Sequence, residues 1–157
     1  MNNCSLEQAQ QDKHTYILDN LRVGADTRIL DIGCGWGGLL LRVNVRGGRG
    51  VGLTLSPRQA EAGHRSGLDV RLCDWKRTSV NDLGKFDAIA CVGAFEHFCS
   101  EQEYIAGNQD RIYDRFFHLC ADLLPDGGRL FLQTMLWGRV VPDPARISLR
   151  ARRGSDE

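Results

Sequence analysis

Leu30-Asp31-Ile32-Gly33-Cys34-Gly35-Trp36-Gly37-Gly38 is the stretch whose reading decides the fold. A short apolar run, 28–32, reads as a buried strand, and it stops at glycines that let the chain turn sharply. Glycines at 33 and 35 also let the backbone approach a ligand where any side chain would collide. The apolar residues after them start a helix, whose first N–H groups and positive dipole end suit a carboxylate or a phosphate. A strand, a glycine turn and a helix form the opening half of a βαβ unit.

Outward from this turn, helix and strand patterns alternate almost throughout, which implies an α/β fold with a parallel sheet. Ser5 and Gln8 form a capping box before a polar helix with Leu6, Ala9, Ile17, Leu18 and Leu21 on its apolar face. A short helix at 39–45 leads through Gly47 and Gly48 to a second strand, 50–55. Ser56 and Pro57 start the next helix as N-cap and first residue. A third strand is expected at 69–73 and a fourth at 86–92. A helix at 109–124 carries Ile112, Tyr113, Phe116, Phe117, Cys120, Leu123 and Leu124 on one face, and a fifth strand is expected at 129–136. Residues 1–138 read as one domain, and 139–157, rich in Arg and Pro, as a disordered tail.

Composition bounds the partners. The chain has 157 residues, and its 20 Lys and Arg balance 20 Asp and Glu, so no basic field draws it to nucleic acid. The first residues are polar and no stretch reaches bilayer length, so the default expectation is a soluble cytoplasmic protein. The six cysteines include no CxxC pair and mostly sit in apolar segments, where a free thiol behaves as a small hydrophobe, so no metal is expected.

Two cofactors compete for the turn, because Gly33, Gly35 and Gly38 also satisfy the weak dinucleotide spacing G-x-G-x-x-G. A dinucleotide site wants an acid about 20 residues on, at the end of the second strand, for the ribose hydroxyls. This chain has Leu53-Thr54-Leu55-Ser56 there. Asp31, within the strand before the glycines, instead fits the class I methyltransferase pattern, in which an acid helps hold the amino end of S-adenosylmethionine.

Other candidates lie at later strand ends, where open α/β sheets place their ligands. Asp74 and Trp75 follow the third strand, suited to accept from an adenine amino group and to cover the purine face. The blander reading is a surface acid beside a half-buried indole. Val92 ends the fourth strand on the cofactor side, and Glu96 follows as a candidate catalytic carboxylate or a helix cap. Most of the aromatics Phe95, Phe98, Tyr104, Tyr113, Phe116 and Phe117 read as core, with a minority left to line an acyl channel. The polar stretch 99–108 reads as a lid over it.

Four motifs in order, Asp31-Ile32-Gly33-Cys34-Gly35-Trp36-Gly37, Gly52-Leu53-Thr54-Leu55-Ser56 with Gln59, Gly93-Ala94-Phe95-Glu96-His97-Phe98, and Leu124-Pro125-Asp126-Gly127-Gly128, resemble the cyclopropane fatty acid and mycolic acid synthase family. The resemblance implies a Rossmann-like class I methyltransferase fold with S-adenosylmethionine as cofactor and an unsaturated lipid acyl chain as methyl acceptor. It implies cofactor binding by Asp31, Gly33, Gly35, Trp36, Thr54, Leu55, Gln59, Asp74, Trp75 and Val92, with Thr54, Leu55 and Gln59 replacing the usual ribose acid. Glu96 would help hold a bicarbonate that removes a proton after methyl transfer, and His97 reads as a structural neighbour.

The departures are specific. The family's bicarbonate-holding histidine falls at Gln133, which is no general base. A segment with a Tyr-Ser-Cys motif is expected before Ser5, and further helices, two strands and a catalytic tyrosine after Gly138, so the chain reads as truncated at both ends. The fifth strand then becomes an exposed apolar edge. Three readings stay open: a lipid C-methyltransferase with possible peripheral membrane contact, a methyltransferase for a small amine, hydroxyl or carbon acid, and a non-catalytic cofactor-binding remnant.

Overall fold

A computed structural model describes residues 5–135. Five strands, β1 (Arg28–Ile32), β2 (Arg49–Thr54), β3 (Asp69–Leu72), β4 (Ala88–Val92) and β5 (Arg129–Gln133), form one sheet in the order β3-β2-β1-β4-β5. Every pairing is parallel. Each strand begins within two residues of its expected start; the ends of the longer expected strands instead enter the turns that carry the site.

The helices are α1 (Leu6–Asn20), α2 (Gly38–Val45), α3 (Pro57–Arg65), α4 (Val80–Leu83), α5 (Glu101–Ile105) and α6 (Gln109–Leu123). They cover both faces of the sheet, so the central strands are apolar on both sides and show no hydrophobic alternation. On one face Ile29, Ala88 and Ala90 pack against Ile17 and Leu18 of α1 and Leu39 and Val43 of α2. On the other, Leu30, Ile32, Leu53, Ile89 and Cys91 meet Ile112, Phe116, Cys120 and Leu123 of α6. The apolar stripe read for α6 thus faces the core, except that Phe117 stays largely exposed. α2 lies so close to β2 that a Cβ on Gly50 would stand 2.7 Å from Leu40 Cδ2, and one on Gly52 2.8 Å from Leu40 Cδ1. Those glycines set the helix-to-sheet distance.

The start of the chain departs from expectation. Ser5 Oγ accepts from Gln8 N at 3.1 Å, but the Gln8 side-chain amide donates forward to Asp12 at 2.8 Å rather than completing a box. A carboxylate one turn on is the stronger acceptor. Leu6 is exposed, and α1 buries only its C-terminal half, at Ile17 and Leu18. A reciprocal box occurs instead at α5, where Ser100 N donates to Glu103 at 2.8 Å and Glu103 N to Ser100 Oγ at 3.3 Å. The stretch read as a lid is therefore a capped helix, tied down by a Lys76–Glu103 ion pair at 3.0 Å.

β5 is the edge of this sheet among the described residues, with Leu130, Phe131 and Leu132 half-buried. Cys34, Cys73, Cys91, Cys99 and Cys120 are free thiols, and no cluster of metal-ligating side chains occurs among the described residues. No described helix is long and apolar enough to cross a membrane. The expectations for residues 139–157 lie outside the described residues.

Candidate cofactor site

The glycine turn after β1 stays tied to the sheet, because Gly33 N and Cys34 N both donate to Leu53 O, at 2.9 and 3.0 Å. Gly33 sits at φ 83° and Gly35 at φ 56°, where residues with a side chain are strained. The two glycines differ in what a Cβ would meet. At Gly33 it would lie 2.3 Å from Ala94 Cβ, so this glycine allows the β1 and β4 turns to touch. At Gly35 it would meet nothing within 4 Å, so this glycine faces open space. Gly37, at φ 80°, begins α2 without a side-chain cap.

Across the carboxyl ends of the strands runs a trough of two adjoining cavities that share Gly33, Gly35 and Val92. The larger, about 490 Å³, is lined by Thr54, Leu55 and Gln59 from the end of β2, by Asp74 and Trp75 after β3, and by Val92 of β4. The smaller, about 320 Å³, holds Asp31 and the largely exposed Trp36. Every residue read as cofactor-binding therefore faces one or both cavities.

Local bonding explains each placement. Thr54 Oγ1 donates to Gln59 Oε1 at 2.6 Å and accepts from Ser56 N at 3.1 Å, which fixes the turn from β2 into α3. Ser56 caps α3 by accepting from Gln59 N. Leu55 is left exposed at the mouth of the trough. The Asp74 carboxylate accepts from Lys76 N at 2.9 Å and starts the 3-10 turn Trp75–Arg77.

Trp75 corrects only the blander of its two sequence readings. It is 5% exposed rather than half-buried, because its indole packs on Phe98 at 4.9 Å and edge-on to Phe116 at 5.4 Å between ring centroids. It is a fixed wall of the trough and part of the core. Phe95 continues the cluster, stacked on Tyr113 at 4.4 Å, whereas Tyr104 is exposed and outside it.

Asp31 is 3% exposed, and no hydrogen bond reaches its carboxylate from the described residues. Burial pushes its carboxyl up to about 7. A buried acid facing a cavity without a donor is the atom set most in need of a ligand.

Glu96 stands apart. The 3-10 turn Phe95–His97 after β4 sends His97 and Phe98 into the larger cavity and Glu96 toward β5, where its Oε2 accepts from Thr134 Oγ1 at 2.9 Å. Gln133 is exposed, and its carbonyl accepts from Gly93 N at 2.8 Å.

The sequence reading missed Lys76, Ala94 and His97 in the larger cavity, and Gln10, Lys13 and His14 of α1 in the smaller. For α1 a signal was present: Gln10, Lys13, His14 and Ile17 follow the i, i+3, i+4, i+7 spacing of one helical stripe.

Residues 1–143 match the family model described as Mycolic acid cyclopropane synthetase. The chain belongs to this family. Among curated relatives, cyclopropane mycolic acid synthase 2 of Mycobacterium leprae is 38% identical over 157 aligned residues, covering 88% of this chain and 46% of the relative. Among solved structures, the cyclopropane synthase MmaA2 of Mycobacterium tuberculosis superposes with a TM-score of 0.66 at 30% identity, over 80% of this chain and 42% of that one. The mycolic acid cyclopropane synthase CmaA1, complexed with SAH and CTAB, gives 0.63 at 33% identity, over 77% and 41%. The chain thus spans about half the length of the family members it matches, and it shares with them the Rossmann-like class I methyltransferase fold.

Proposed function

We propose that this chain is the cofactor-binding part of an S-adenosylmethionine-dependent methyltransferase that transfers a methyl group to an unsaturated lipid acyl chain. The observation that carries the reading is the two-chambered trough, which family-specific stretches line at Thr54, Leu55, Gln59, Ala94, His97 and Phe98. The complex of CmaA1 with SAH, the demethylated cofactor, and with CTAB, a long-chain amphiphile, supports cofactor and acceptor class together.

The residues present fit the cofactor. The open face of Gly35 admits it to the loop, Trp75 offers an aromatic wall for adenine, and Asp31 offers a carboxylate for its ammonium. The cofactor's sulfonium supplies an already activated methyl group. The chain's part is to align an acceptor and exclude water. An alkene develops cationic character as it takes the methyl, which a nearby carboxylate stabilises. Glu96, in the turn whose neighbours Ala94, His97 and Phe98 line the trough, is the carboxylate this reading assigns to that role, with Asp31 and Asp74 given to the cofactor. Thr134 occupies one of its oxygens, and the other would help hold a bicarbonate, which when bound would supply the base for the proton released afterwards. Gln133, where the family's histidine falls, favours as a second reading transfer to a small amine, hydroxyl or carbon acid, whose proton would leave to solvent or to another side chain rather than to a bicarbonate.

Calorimetric titration of the 157-residue chain with S-adenosylhomocysteine and with NAD tests cofactor identity. Equal or tighter NAD binding would sink the reading. Label from methyl-labelled S-adenosylmethionine appearing in phospholipid acyl chains supports the lipid acceptor, and label in soluble amines or phenols supports the second reading. Tight binding with no transfer leaves only the cofactor-binding role.

A further inference from the structure

The smaller cavity has one wall that no motif described so far accounts for. It is the stripe Gln10, Lys13, His14 and Ile17 of α1, facing Asp31 and the glycine turn. The His14 ring is close enough to the turn that a Cβ on Gly38 would stand 3.0 Å from its Cε1. Burial, and then the neighbouring charges of Lys13 and Arg42, lower the His14 pKa, so the ring is neutral near pH 7. Lys13 is the fixed cation lining this cavity and Asp31 its one acid. Neither the Lys13 ammonium nor the Asp31 carboxylate makes an ion pair or side-chain hydrogen bond among the described residues. Two half-buried or buried opposite charges that line one cavity without pairing leave room between them for a zwitterion.

We propose that Lys13 binds the α-carboxylate of the cofactor's amino-acid end, in the same cavity where Asp31 takes its ammonium, so that α1 supplies half of the site that recognises this end. The inference rests on the S-adenosylmethionine reading above. It follows that the adenosine part lies in the larger cavity and the sulfur over the shared residues Gly33, Gly35 and Val92.

The test is a binding matrix on the full chain. Wild type and Lys13→Met, which keeps the unbranched stem of the side chain and removes its charged end, are titrated with three probes. These are S-adenosylhomocysteine, its decarboxylated analogue S-adenosyl-3-thiopropylamine, and 5′-methylthioadenosine, which lacks the amino-acid end. Thermal melting of both proteins checks that the variant is folded. The expected result is a loss of about tenfold or more in S-adenosylhomocysteine affinity on Lys13→Met, with the other two probes unchanged. Lys13→Arg should restore most of that loss. Wild-type S-adenosylhomocysteine affinity in Lys13→Met overturns the inference and leaves the cofactor assignment standing. An equal loss for all three probes also overturns it, since Lys13 would then act through the fold. Failure of wild type to bind any probe overturns the cofactor reading and this inference with it.

Discussion

Replacing Gly33 and Gly35, two residues apart in one turn, by alanine should produce opposite failures. At Gly33 the left-handed backbone, φ 83°, costs an alanine about 1 to 2 kcal/mol. Its methyl would also fall 2.3 Å from Ala94 Cβ. Neither atom sits on a flexible side chain, so the β1 and β4 turns must part, an overpacking cost of about 1 to 3 kcal/mol. Gly33→Ala should therefore lose about 2 to 5 kcal/mol of stability, roughly 4 to 20 °C in melting temperature for a domain of this size. Gly35→Ala carries only the backbone cost of about 1 to 2 kcal/mol, since its methyl meets nothing within 4 Å. That methyl stands where the two cavities join, so S-adenosylhomocysteine affinity should drop at least about tenfold. Urea unfolding and calorimetric titration of both variants read the two quantities. A Gly33→Ala protein as stable as wild type would refute the close approach of the turns. A Gly35→Ala protein with full affinity would show that the ligand does not cross the loop.

Trp75→Ala should lose about 3 to 5 kcal/mol in urea unfolding, because the indole is 5% exposed against Phe98 and Phe116; wild-type stability would place it outside the core. Glu96→Gln keeps an acceptor for Thr134 and lies outside the trough lining, so S-adenosylhomocysteine affinity and melting temperature should stay within error of wild type while methyl transfer falls; normal turnover would reduce Glu96 to a structural cap. Burial raises the Asp31 carboxyl to about 7, so the folded apo chain keeps a proton that the unfolded chain releases near pH 4. Stability should then fall as pH rises from about 4 to about 7, by up to about 1.4 kcal/mol per pH unit, and Asp31→Asn should flatten that fall; identical pH profiles would place the carboxyl in contact with water.

The layered fold was legible because its signals are local. Glycines end β1, Ser56-Pro57 starts α3, and an apolar stripe marks α6, each set by chain chemistry within a few residues. The strand-end motifs were legible for the same reason, since they occupy turns whose position the sheet dictates. What could not be read was orientation across the sheet. The sequence shows Glu96 between Phe95 and His97, but only the 3-10 turn sends His97 into the trough and Glu96 toward Thr134. The full burial of Trp75 was hidden because its aromatic partners, Phe98 and Phe116, lie 23 and 41 positions away in the sequence. The α1 stripe was hidden differently: a polar stripe on a helix ordinarily faces water, and only packing over the glycine turn makes it a wall.

The polarity of the trough argues the cofactor from physics alone. The larger cavity is lined by the aromatics Trp75 and Phe98 and by the Thr54 and Gln59 pair; the smaller holds a buried acid and a cation, Asp31 and Lys13. A dinucleotide has its two negative phosphates in its middle, and its pyrophosphate belongs at the glycine turn and the start of α2. There it would lie beside Asp31, whose ionised form is already disfavoured by burial and would meet like charge. S-adenosylmethionine reverses each sign: its ammonium favours the ionised carboxylate, its sulfonium adds positive charge over the turn, and its carboxylate answers Lys13. Binding should then expel the proton that Asp31 holds near pH 7, so S-adenosylhomocysteine affinity should climb as pH rises through that value and level off above it. Calorimetry in buffers of different ionisation enthalpy measures that proton directly. A pH-independent affinity, with no proton released, would separate Asp31 from the ammonium and remove the electrostatic case for this cofactor over a dinucleotide.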